Sequence, residues 1–106
     1  DITFSSSNLL NMVDSNFGTS HLTLRHLLAL YLKKSGRVDQ ATGQYAEVLK
    51  FEPDSSMTHY NLGLALHGKG KIVEAIEHYR RALQIKPDSA KVQDNLDNAL
   101  RALRGQ

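Results

Sequence analysis

Cysteine is absent from this chain of 106 residues, which excludes a disulfide framework, a thiolate metal site and a cysteine nucleophile. That absence suits a reducing cytosol and a periplasm alike. An excess of one charge is also lacking. Thirteen basic residues against eleven acidic ones leave a net +2 with the signs interspersed, too weak a field to imply nucleic acid or anionic lipid. No apolar run approaches the roughly eighteen residues that a bilayer span requires, so no membrane contact is expected within the segment. The opening Asp1-Ile2-Thr3-Phe4 has neither the basic start nor the apolar stretch of a signal peptide. An initial aspartate in place of methionine suggests a piece cut from a longer protein. The length fits one domain, in which roughly two-thirds of the unfolded chain's surface would be buried.

Proline is scarce, with two in all, and both stand in the same triplet: Pro53-Asp54-Ser55 returns as Pro87-Asp88-Ser89, 34 residues later. Residues 22–55 laid over 56–89 without a gap give ten identities in 34. Leu28 meets Leu62, Leu30 meets Leu64, Leu32 meets Leu66, Gly36 meets Gly70, Ala41 meets Ala75, Tyr45 meets Tyr79 and Leu49 meets Leu83, and the triplet supplies the rest. Each unit divides at its glycine, where the first apolar pattern stops and a left-handed residue can end a helix. Lys33, Lys34 and Lys69 fall beside those ends, where cations suit the helix dipole. The second helix of each unit has the clearest period: Ile72, Ala75, Ile76, Tyr79, Ala82 and Leu83 mark one buried face, and Val38, Ala41, Tyr45, Val48 and Leu49 repeat it. Proline then closes the helix by disfavouring helical backbone at Glu52 and Lys86, and the serine that follows offers the next N-cap.

The spacing of Asn61-Leu62-Gly63-Leu64-Ala65-Leu66, Gly70, Ala75, Tyr79, Ala82 and Pro87 resembles the tetratricopeptide consensus. The resemblance covers two repeats, 22–55 and 56–89. Residues 90–104, with Asn95, Leu96, Ala99 and Leu100 in register, look like a third first helix serving as a cap. Ala29 stands where the family has glycine and Val48 where it has alanine, both adding volume at close helix crossings. Arg25 and His59 replace the family's usual aromatic near the start of the first helix. The resemblance implies an all-α fold of helix-turn-helix repeats, stacked as a short right-handed superhelix, an α-solenoid whose first helices line a concave groove. One helix pair cannot bury both its faces, so the N-terminal side of Leu22 needs a cover. Residues 1–20 are the candidate, with a short helix expected over residues 8–14. Docking on the chain's own first repeat and exchange with a neighbouring copy to make a homodimer are the two alternatives.

Chemistry is sparse. The five histidines include no pair at i, i+4, so the zinc-protease helix is missing, and they read as surface or groove residues. Glu74 with His78 and Glu77 with Arg81 are spaced as ordinary helical ion pairs. Gly68-Lys69-Gly70-Lys71 lacks the length and preceding strand of a P-loop and reads as the turn between helices. No serine stands in a nucleophile elbow. Neither catalysis nor a cofactor nor a metal is expected.

What remains is the groove that the resemblance implies. Its lining would be Thr23, His26, Leu30, Lys33 and Lys34, then Met57, Tyr60, Leu64 and His67, then Lys91, Asp94, Asn98 and Arg101. Leu30 and Leu64 take the place where the family usually shows a polar residue, and with Tyr60 and Met57 they would make an apolar stripe. A contiguous apolar stripe suits a partner polypeptide, whereas base edges and phosphates would need polar and cationic side chains. Some family members clamp a C-terminal carboxylate. Asn61 and Lys91 match that clamp, but His26, Leu30 and Asn95 stand where lysine, asparagine and arginine would be required. The expected function is a scaffold that holds an apolar peptide or helix, with lysines favouring acidic flanks. Self-association through residues 1–20, or service as an accessory array of a larger enzyme such as a glycosyltransferase, are the alternatives.

Overall fold

The computed structural model describes residues 19–105. They form five helices: α1 Thr19–Lys34, α2 Val38–Phe51, α3 Ser56–Gly68, α4 Ile72–Ile85 and α5 Ala90–Arg104. No strand occurs among the described residues. The short helix expected over residues 8–14, and its docking or exchange, lie outside them.

The turns follow from the repeated residues. Gly36 and Gly70 hold φ of 82° and 83°, the left-handed conformation that side chains resist. Around each, the same two bonds close the helix: Arg37 N–H to Leu32 O at 2.8 Å with Gly36 N–H to Lys33 O at 3.1 Å, and Lys71 N–H to Leu66 O at 2.9 Å with Gly70 N–H to His67 O at 3.0 Å. This is the Schellman ending, made twice. After each proline the serine caps the next helix: Ser55 Oγ accepts from Thr58 N–H at 3.2 Å and Ser89 Oγ from Val92 N–H at 3.4 Å.

Each helix packs on its neighbours in the chain, and α3 also touches α5. One continuous core runs through both hairpins into α5, built on Leu28, Leu32, Tyr45, Leu62, Leu66, Tyr79 and Leu96. Gly63 marks a close crossing of α3 and α4. A Cβ there would lie 2.7 Å from Cε1 and 2.8 Å from Cδ1 of Tyr79, so this position of α3 must be bare for the ring to lie against it.

Two polar pairs lie inside the hairpins, where periodicity alone would place them at the surface. Arg25 on α1 is buried and donates from Nη1 to Gln44 Oε1 on α2 at 2.6 Å. His59 on α3 is buried and faces His78 on α4, Nδ1 to Nδ1, at 3.1 Å. Arg25 and His59 are equivalent in the overlay, as are Gln44 and His78, so each repeat builds one buried polar pair at the same place. The His78 ring is thus turned toward His59 and not toward Glu74. Arg81 likewise reaches Asp54 at 2.6 Å and Gln84 at 3.1 Å instead of Glu77, tying α4 to the α2–α3 turn. Long-range partners displace both helical ion pairs that spacing alone suggests. Lys69, at a helix end, bridges to Asp39 in the first turn of α2.

Candidate functional site

The first helices α1, α3 and α5 share one side of the stack, and two hollows open on it. The first, about 380 Å³, is lined by Leu22, Thr23, His26, Leu27, Leu30 and Met57, with Glu52 and Asn61 at its polar edge. The second, about 430 Å³, is lined by Leu30, Met57, Tyr60, Asn61, Lys86, Lys91 and Val92. Leu30, Met57 and Asn61 belong to both, so the hollows adjoin and share a wall. The second is also the first shifted by one repeat: Leu22, Thr23, His26, Leu27, Glu52, Met57 and Thr58 become Ser56, Met57, Tyr60, Asn61, Lys86, Lys91 and Val92.

The floor repeats as well. Asn61 Nδ2 donates to His26 Nε2 at 2.9 Å, and one repeat later Asn95 Nδ2 donates to the Tyr60 hydroxyl at 3.1 Å. Behind them the His26 ring meets Tyr45 edge-on, with centres 5.2 Å apart, and Tyr60 leans on Tyr79 at 6.1 Å. As acceptor from Asn61, His26 Nε2 carries no proton. Burial holds the His26 pKa below its usual value, and the carboxylate of Glu52 opposes that only in part. Burial also pushes Tyr45 and Tyr79 up to about 12, so both stay neutral phenols.

Of the residues that the sequence assigns to the groove, His26, Leu30, Met57, Tyr60 and Lys91 line these hollows together, as does Thr23. Lys33, Lys34, Leu64, His67 and Asp94 line neither. Leu64 is half-buried and packs on the core as Leu30 does, but neither hollow reaches it. His67 turns onto Tyr79, sharing a hydrogen bond with its hydroxyl at 3.2 Å. Lys33 is half-buried, with its pKa lowered by burial, and Lys34 and Asp94 face solvent. Leu27, 55% exposed, is the groove residue that sequence reasoning missed. Its overlay partner is Asn61, so no identity drew attention to it, although it lies one turn from Thr23 on the same face.

The tyrosine pair yields a prediction. Tyr79 shares its hydroxyl proton with His67, whereas the equivalent Tyr45 hydroxyl, with Lys33 in the place of His67, is buried without a hydrogen-bond partner among the described residues. Tyr79→Phe should therefore cost about 1 kcal/mol, and Tyr45→Phe should be neutral or slightly stabilising. Urea midpoints of the two variants compare them directly, and equal losses would contradict the difference in partners.

The comparisons agree with this geometry. No curated protein matches the chain. A solved structure of a MamA mutant superposes with a TM-score of 0.74 at 21% identity, covering 92% of this chain and 70% of that one, which is a likeness of fold. Among the described residues no helix is long and apolar enough to cross a membrane. The family model for the tetratricopeptide repeat matches residues 26–90, well over half of the sequence, from the middle of α1 to the start of α5, with both Schellman turns inside it. The chain belongs to the tetratricopeptide repeat family.

Proposed function

We propose that the chain is a scaffold that seats a partner polypeptide, as a peptide or a helix, along the concave side formed by α1, α3 and α5. Repeats of this family generally mediate protein–protein interaction, and the finer reading rests on one observation: the two hollows adjoin along α1, α3 and α5, and the wall they share carries open apolar side chains. Met57 is 61% exposed and Leu27 55%, side by side with half-buried Leu30 and Tyr60. An apolar wall of this kind releases water when a partner's apolar side chains enter it, at about 25 cal/mol for each Å² removed from water. The helix α5 closes the stack on the other side. Asp97 holds the place that Ala29 and Gly63 hold in the two repeats, where small side chains let the following helix pack closely, so α5 suits solvent better than another helix.

A peptide selected from a random display library against the wild-type chain supplies the probe. Met57→Glu should weaken its binding at least thirtyfold, about 2 kcal/mol, by burying an unpaired carboxylate in the contact. The helical circular dichroism should not change, because Met57 is exposed. Undiminished binding would remove the groove from consideration.

A further inference from the structure

Equivalent positions of the two hollows differ in chemistry, and the difference runs one way. In the first hollow the positions are held by Glu52, Met57 and Leu27, an acid beside apolar walls; in the second they are held by Lys86, Lys91 and Asn61, two cations beside an amide. Lys86 and Lys91 are exposed, and neither takes part in an ion pair among the described residues. Three exposed cations elsewhere are matched within the fold, Lys69 by Asp39, Arg81 by Asp54 and Lys50 by Glu47, whereas Lys86 and Lys91 stand together at one hollow. The concave side is therefore a polar track with distinct ends.

We infer that the groove takes its partner in one orientation: an apolar stretch of the partner polypeptide lies over Leu27, Leu30 and Met57, and acidic side chains follow it over Lys86 and Lys91. This rests on the groove reading above and adds the partner's chemistry to it. Glu52 reinforces the direction, since an acid placed at the first hollow would meet a carboxylate, while a basic residue there would be accepted. The apolar contact supplies most of the affinity. The charges decide which segments enter and which way they run, because like charges placed face to face penalise the wrong register. Both lysines are solvent-exposed, so this selectivity is expected to fade as salt rises.

The experiment begins with the same random peptide library, selected on the full chain at low salt. Enriched peptides should carry an apolar cluster flanked on one side only by Asp or Glu. The double variant Lys86→Glu/Lys91→Glu should weaken them about tenfold, and peptides with those acids exchanged for lysine should regain that factor on the variant. Raising the salt should erase most of the difference. Enriched peptides that lose binding with Met57→Glu, yet show no acidic flank and no response to the lysine exchange, would overturn the orientation and leave the groove reading standing. Peptides indifferent to Met57→Glu, or a library that yields none, would overturn both.

Discussion

Tyr79→Ala is expected to remove about 3–5 kcal/mol of folding stability, the usual cost of deleting a buried aromatic ring. Tyr79 is fully buried, its hydroxyl is engaged by His67, and its ring lies against Gly63 and beside Tyr60. A domain of this size has roughly 5–15 kcal/mol in total, so the loss is a large fraction of it and should lower the urea midpoint markedly. Filling the same contact from the other side should also be harmful. Gly63→Val places its Cβ within 3 Å of the ring edge and should cost about 3 kcal/mol, even though valine is a better helix former than glycine. The two effects should not add. In Gly63→Val/Tyr79→Ala the valine enters space that the ring has left, so the double variant should be at least 1 kcal/mol more stable than the sum of the singles predicts. Urea unfolding followed by circular dichroism tests this, and additive losses would show that the crossing at Gly63 is not what fixes α3 on α4.

Acid should destabilise the fold through its histidines. His59 Nε2–H donates to Pro53 O at 2.9 Å, which leaves His59 Nδ1 as an acceptor and makes His78 Nδ1–H the donor across the 3.1 Å contact. The ring centres are 5.3 Å apart, about the nitrogen contact plus the two ring radii, and the planes are inclined at 27°, so the rings meet through the hydrogen bond. A first proton can settle on His78 Nε2 and leave the bond intact. Burial, followed by the neighbouring His59, lowers the His78 pKa, and Glu77 and Glu74 on the same helix oppose this only in part. Burial lowers that of His26 as well. For a histidine with a depressed folded pKa, the unfolded chain binds more protons in acid. Its contribution is therefore present above the unfolded value of about 6.5 and is lost as pH falls through the folded one. Between pH 7.5 and 5 the wild type should lose stability, because His78 and His26 bind protons more readily in the unfolded chain. His78→Gln should flatten much of that slope. Asp39, held low by its hydrogen bond and ion pair with Lys69, titrates in a lower window and does not confuse the comparison. A wild type that gains stability toward pH 5, or a His78→Gln variant with the same slope, would contradict the pairing.

These histidines also mark where the sequence stopped being legible. The repeat length, the glycine turns, the serine caps and the buried faces of α2 and α4 could all be read, because each depends on residues close together in the chain. Arg25, Gln44, His59 and His78 could not be placed that way. Their partners lie nineteen residues off across a hairpin, and a polar residue read by periodicity alone is assigned to the surface. A signal was nonetheless present, since the overlay puts polar residues in the same two columns of both repeats. Leu30 and Leu64 teach the opposite lesson. They are the same residue at equivalent positions, yet only Leu30 opens on the groove, and the exposed Leu27 beside it matches nothing in the second repeat. A groove is decided by what the next helix leaves uncovered, which the local pattern does not contain.

The most direct test of the scaffold reading is chemical-shift mapping of the isotope-labelled chain titrated with a display-selected peptide. Perturbations are expected to concentrate at Leu27, Leu30, Met57, Tyr60, Asn61 and Lys91 on α1, α3 and α5. Perturbations concentrated on the outer faces of α2 and α4, around Lys50, Val73 and Arg80, with the groove silent, would contradict it.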